Sequence, residues 1–164
     1  MDLRRLRKGE WITGLSGLVL FVSLFLPWYQ VDDITLDLSA FQAFAVFDVM
    51  LLLLAVAGMG VFVVTAVQKT PAVGIAVEAL VTVLAGVVSI LLVFRVLNLP
   101  DPLDSIPGGG RAAFAWVGLA ATWGVLVGSV VAMRDERLSE PGRPTDATGL
   151  PVEAPPEIET LPAP

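Results

Sequence analysis

Four long apolar runs, separated by short polar stretches, dominate the sequence. They cover residues 11–28, 44–67, 72–97 and 112–133. A helix that crosses a bilayer needs about 20 mostly apolar residues, and each run is of that order. The pattern therefore predicts an all-α membrane protein, in which a four-transmembrane-helix bundle occupies residues 11–133.

The second and third runs are separated only by residues 68–71, which predicts two antiparallel neighbouring helices. This pair carries the ionisable groups that lie well inside apolar segments, namely Asp48, Glu78 and, near an end, Arg95. Ionisable residues within a membrane span are costly and often functional. The hairpin is therefore expected to organise the bundle.

Aromatic residues bracket the first run, with Trp11 at one end and Trp28 and Tyr29 at the other. Such positions are typical of the aromatic belts at the two membrane surfaces, and Pro27 can end the helix there. A basic start followed by an apolar run is also typical of a signal peptide. The run is too long for that and no small-x-small cleavage site follows closely, so we predict a retained span.

The connections between spans have their own patterns. Residues 29–38 are acidic, and the alternation near Ile34 predicts a short strand or a loop on the membrane surface. Ser39 and Gln42 form a capping-box pattern that predicts a helix start near Ala40. Residues 99–110 are rich in Pro and Gly, which predicts an irregular turn region.

Lysine and arginine predict the orientation, because they accumulate on the cytoplasmic side of a span. Of the ten lysine and arginine residues, eight fall in the basic N-terminus (residues 1–10), the 68–71 connection and the tail (residues 134–164). Only Arg95 and Arg111 fall on the other side. Both termini are therefore expected to be cytoplasmic, in a multi-pass protein of the cell membrane. The Pro-rich, acidic tail is expected to be disordered.

Composition removes several classes of function. The chain has no His and no Cys, which excludes disulfides and thiol nucleophiles and argues against zinc, haem and His-dependent catalysis. We therefore expect no enzyme activity, no metal and no cofactor. The net charge of −6 comes from the tail and loops, and no basic stripe indicates nucleic-acid binding.

Polar residues of the third run fall on one helical stripe. Glu78, Thr82, Ala85 and Ser89 have offsets of 0, 4, 7 and 11, so they share one face of a helix. Ser16 in the first run lies at a depth similar to that of Glu78. The pattern predicts a polar site made by Glu78, Ser16 and Thr82, which is either structural or binds a proton or cation.

Two further features predict helix contacts. Asp48 and Arg95 lie at similar depths, which predicts a structural ion pair, although Arg95 can instead extend to the membrane surface. The fourth run has small residues at four-residue spacing, a pattern that permits close helix packing: Ala120, Gly124, Gly128 and Ala132. That stripe packs either inside the bundle or against a protein partner or a second copy.

Four features of the sequence are shared with a known group of proteins: the basic start RRLRK, the FLPWY that ends the first run, the acidic first loop and RDER after the fourth run. In these features the chain resembles small four-span membrane proteins of GC-rich bacteria, to which no activity is assigned. The resemblance covers roughly residues 4–137. Three better-characterised groups do not match. The sequence lacks the Asn-and-Asp motifs of lipoprotein signal peptidases, the first-span Glu of small multidrug transporters, and the Trp and Cys signature of claudins.

The sequence thus predicts a non-enzymatic membrane protein whose surroundings are the lipid bilayer. The leading hypothesis is an accessory or scaffold subunit that acts through helix–helix contacts. The alternative is a small transporter or channel component with a proton- or cation-linked Glu78.

Overall fold

The computed structural model describes residues 8–31, 36–44, 46–67, 71–99 and 103–137. The elements, in chain order, are α1 (Lys8–Ser23), β1 (Pro27–Val31), β2 (Leu36–Ser39), α2 (Ala40–Ala43), α3 (Phe47–Val67), α4 (Pro71–Leu97), a 3₁₀ turn (Leu103–Ser105), β3 (Gly109–Arg111) and α5 (Ala113–Arg137). Most of the predicted basic N-terminus, the connection after α3 and the tail beyond residue 137 lie outside these ranges.

Three helices, α3, α4 and α5, are long and apolar enough to cross a membrane. They match the predicted second, third and fourth runs. Two boundaries differ from the prediction. The capping-box pattern starts only the short helix α2, where the Gln42 side chain accepts a hydrogen bond of 2.9 Å from the Ser39 N–H. Phe44 is extended, and the long helix α3 begins at Phe47. At the other end, α5 continues to Arg137, whereas the sequence predicts that the tail begins at residue 134.

The first run is a shorter helix than predicted. Its 16-residue helix α1 ends at Ser23 rather than at Trp28. The Phe25 and Leu26 N–H groups then bond to the carbonyl oxygens of Val22 and Ser23, which tightens the last turn. Pro27 disfavours helical geometry at the residue before it, and it is the first residue of β1, a position that tolerates its missing N–H.

A small antiparallel sheet joins the ends of the helices, so the protein is mostly helical rather than all-α. The strand order is β2-β1-β3. The strand predicted near Ile34 is β2 (Leu36–Ser39), while Ile34 itself lies outside the described residues. The Gly-rich stretch was predicted to be irregular, yet Gly109–Arg111 pairs with β1. Gly108 makes the preceding turn with a φ of 80°, a conformation that only glycine adopts readily.

Helix α1, rather than the α3–α4 pair, is at the centre of the packing. It makes extensive contact with both α5 and α3, whereas α3 and α4 contact each other less. Helix α4 packs mainly against α5. The predicted hairpin exists, but its two helices are held largely through their other neighbours.

Glycines on α1 allow this close packing. A Cβ atom on Gly17 would lie 2.9 Å from both the Ala55 carbonyl oxygen and the Met59 nitrogen of α3. On the side that contacts α5, a Cβ on Gly9 would lie 2.6 Å from the Ala132 Cα. Real Cβ atoms do not approach backbone atoms so closely, so the backbones touch only because these side chains are absent.

Candidate functional site

Two of the three predicted site residues lie together on α4. Glu78 is 1% exposed, and the Thr82 hydroxyl donates a hydrogen bond of 2.8 Å to the Glu78 backbone oxygen. The Thr82 Oγ1 is also 2.9 Å from the Ser129 Oγ of α5. We call Glu78, Thr82 and Ser129 the α4–α5 polar group. Ser129 adds an interhelical partner from the fourth run.

The structure places Ser16, the third predicted site residue, on a different interface. A Cβ on Gly124 of α5 would contact the Ser16 side chain. Gly124 and Ser129 are five residues apart on α5, so they point about 140° away from each other. Ser16 therefore lies between α1 and α5, and α5 separates it from the α4–α5 polar group.

The stripe of small residues on α5 faces α1 over most of its length. A Cβ on Gly128 would lie 2.5 Å from the Thr13 Oγ1, and the Gly9 position described above contacts Ala132. Gly124, Gly128 and Ala132 are therefore used for packing within the chain. Ala120 is exposed and is the one member that points away from α1.

Asp48 and Arg95 have separate partners. The Asp48 carboxylate accepts a hydrogen bond of 2.7 Å from the Val49 N–H in the first turn of α3, where the helix dipole favours a negative charge. The Arg95 guanidinium carbon lies 5.6 Å from the centre of the Phe44 ring, in the last turn of α4, where a positive charge is favoured. No ion pair joins the two among the contacts of the described residues.

The end of α4 near the sheet is held by two residues that sequence reasoning did not select. The Arg111 guanidinium, at the end of β3, donates hydrogen bonds to the carbonyl oxygens of Val96 and Leu97. The Tyr29 hydroxyl of β1 donates to the Arg95 carbonyl oxygen at 3.3 Å. The last carbonyl groups of a helix lack partners within the helix, so these contacts tie the sheet to α4.

Burial raises the pKa of the Tyr29 hydroxyl above its ordinary value of 10.0, although the positive charges of Arg111 and Arg95 oppose the shift. A raised pKa means that folding favours the protonated phenol. The stability that depends on this phenol is fully present below the unfolded pKa and is lost as the pH rises through the folded-state pKa. Tyr29 is the only tyrosine, so the absorbance of tyrosinate reports on it alone.

We therefore expect the folded protein to titrate its tyrosine above pH 10.0 and to lose stability in that range. Tyr29→Phe should abolish both the absorbance change and the part of the alkaline stability loss that accompanies it. A folded-state titration at or below the ordinary value would contradict the burial of this hydroxyl.

Glu10 is a buried acid that the sequence did not single out, since it lies beside a charged N-terminal stretch. It is 3% exposed, in the first turn of α1, next to the contact between Gly9 and Ala132. Glu10 and Glu78 therefore lie at the same end of the molecule, opposite the sheet. In the described part of the chain, no group of three or more acidic residues could hold a metal ion.

Two open apolar grooves, with volumes of about 300 and 310 Å³, flank the exposed side of α1. One lies between α1 and α3 and is lined by residues such as Leu15 and Phe62. The other lies between α1 and α5. Their linings are almost wholly apolar, so they suit lipid acyl chains rather than a polar substrate.

No protein-family model, no curated protein and no solved structure matches this chain.

Proposed function

We propose that the chain is a four-span protein of the cell membrane, with α1 as the fourth span and both termini in the cytoplasm. The contacts that α1 and the following strand β1 make with α5 support this topology, since they extend from Ala132, opposite Gly9 of α1, to Gly118, opposite Trp28 of β1. That distance is about 21 Å along a helix. The sheet joins the ends of α1 and α4 to the starts of α3 and α5, as expected for helices that cross in alternating directions.

Within that topology, the protein acts as an accessory or scaffold subunit, and the outward face of α5 is its contact surface. This face contains Trp116, Ala120 and Trp123. Trp123 lies near the middle of α5 and is 47% exposed. Tryptophan on a lipid-facing surface belongs at the membrane–water boundary, so an outward Trp at mid-helix favours a protein neighbour. Ala120 between the two Trp residues leaves a notch that a partner helix can enter.

The tight packing of α1 supports a scaffold rather than a passage. Gly17 brings the backbones of α1 and α3 together, and Gly128 does the same for α1 and α5. Where these glycines meet the neighbouring backbones, no space for a polar substrate remains.

Site-specific photo-crosslinking in intact cells tests the proposal. A photoreactive residue in place of Trp123 should give one protein adduct of defined mass. Ile90 is an equally apolar, exposed position on α4, and the same probe there should give no such adduct. Adducts of the same partner from both faces, or from neither, would contradict a contact surface on α5.

The second candidate, a small transporter or channel component, rests on one observation. Glu78 is buried, and its backbone oxygen accepts a hydrogen bond from Thr82, whose Oγ1 also contacts the Ser129 Oγ. A carboxyl group and hydroxyls on neighbouring turns can help to bind a proton or a cation. Proton or cation flux into proteoliposomes that disappears in Glu78→Gln would favour this candidate over the first, because Gln retains the shape of the side chain.

A further inference from the structure

The interface between α4 and α5 follows a regular seam. Arg111, just before α5, bonds to the last carbonyl groups of α4, and Thr82 of α4 contacts Ser129 of α5, so the two helices are antiparallel. The inward positions repeat at spacings of three and four residues on both helices, as in coiled coils: Thr82, Ala85, Ser89, Leu92 and Val96 on α4, and Ser129, Leu126, Thr122, Leu119 and Ala115 on α5.

The contact between Thr82 and Ser129 fixes the register of this seam. Seven residues are close to two helical turns, so a position seven residues further along α4 faces the position seven residues back along α5. Ser89 is therefore opposite Thr122. Both side chains are buried, at 1% and 0% exposure.

The Ser89 hydroxyl differs from the other buried hydroxyls inside the described helices. Five hydroxyls donate to a carbonyl oxygen of their own helix, which is the usual arrangement for Ser and Thr within helices: Thr13, Ser23, Thr82, Thr122 and Ser129. The Ser89 Oγ is fully buried and has no hydrogen-bond partner among the described residues. An unpartnered buried hydroxyl is costly, so this one requires a ligand.

We propose that Ser89 and Thr122 hold a buried water molecule between α4 and α5. The Ser89 hydroxyl can donate one hydrogen bond to the water and accept another. The Thr122 Oγ1 already donates to the Gly118 oxygen at 2.9 Å, so it is available as an acceptor. Buried water usually makes about three hydrogen bonds to such groups.

Space and charge both favour water over an ion. Gly86, three residues before Ser89, is partly exposed, and a Cβ there would meet no heavy atom within 4 Å, so α4 is not tightly packed beside this layer. Two neutral hydroxyls cannot compensate for the desolvation of a cation in an apolar interior. The ligand is therefore a neutral molecule of the size of water.

The water site is separated from the α4–α5 polar group. The distance between the two layers is about 10 Å along the helix, and the apolar pair Ala85 and Leu126 lies between them. A single water cannot bridge that distance with hydrogen bonds. The inference is thus independent of the proposed accessory role.

A double-mutant cycle with Ser89→Ala and Thr122→Val tests the site in purified full-length protein. We expect each single variant to lower the apparent melting temperature by about 2 to 4 °C. The double variant should lose less than the sum, since both side chains hold the same water. Ser23→Ala serves as the matched control, because its hydroxyl is also buried but bonds within its own helix.

A second measurement detects the water directly. In detergent micelles, the Thr122 methyl group should show a cross-peak to water in nuclear magnetic resonance spectra, and Ser89→Ala should remove it while Ser23→Ala should not. A Ser89→Ala variant that melts at or above the wild-type temperature, additive effects in the cycle, or no water cross-peak would each overturn the proposal.

Discussion

Replacing Gly17 by alanine should destabilise the protein strongly, whereas the same replacement at Gly60 should not. The new methyl group at Gly17 would lie 2.9 Å from two backbone atoms of α3. Backbone atoms cannot rotate away, so α1 and α3 would have to separate. Overpacking of this kind costs about 1 to 3 kcal/mol for a single methylene, and lost contacts along both helices will add to it.

Gly60 is the matched control, since a Cβ there would meet no heavy atom within 4 Å. Alanine has a higher helix propensity than glycine, so Gly60→Ala is expected to leave the free energy of unfolding unchanged or to raise it by up to about 1 kcal/mol. Thermal unfolding in a mild detergent measures both variants.

Gly124→Ala should have an intermediate effect, because its methyl group would meet the end of the Ser16 side chain, which can rotate. Equal effects at all three glycines would contradict the close approach of the helices.

The sequence predicted the later helices well and the first helix poorly. The second, third and fourth apolar runs nearly coincide in sequence with α3, α4 and α5. A long uninterrupted hydrophobic stretch is both the signal used for the prediction and the property that makes these helices long and apolar enough to cross a membrane. The segment around Trp28 is as apolar as a span, yet it forms a strand. That outcome depends on pairing with Arg111, which is far along the chain, and hydrophobicity in a local window contains no information about such pairing.

The candidate site shows a similar division. Helical periodicity placed Glu78, Thr82 and Ser89 on one face of α4, and all three side chains face inward. Periodicity does not say which neighbouring helix that face meets, so it could not establish that Thr82 contacts Ser129 or that Ser16 lies at a different interface. The glycines of α1 carried a usable signal, since Gly9 and Gly17 are small residues in an apolar helix, but their partners on two different helices depend on the whole fold.

Replacing Trp28 by alanine should be among the most destabilising single changes in the protein. The indole is 0% exposed, and its Nε1 donates a hydrogen bond of 2.7 Å to the Ser23 carbonyl oxygen. Its ring packs edge-on against Phe44, with the ring centres 5.8 Å apart. On its other side, the ring fills the space that a Cβ on Gly118 would occupy, at 2.5 Å from the Trp28 Cη2.

Truncation of a buried Trp to Ala typically costs about 3 to 5 kcal/mol, and here the hydrogen bond that ends α1 is lost as well. Trp116→Ala provides the control, since that side chain is 50% exposed on the outward face of α5 and its removal leaves no cavity. In purified protein, the loss at Trp28 should therefore exceed the loss at Trp116 severalfold, with Trp28→Phe in between. Similar small losses at both positions would contradict this packing of Trp28. They would instead support the membrane-surface belt that the sequence predicts, in which a Trp packs against lipid headgroups and not against Gly118.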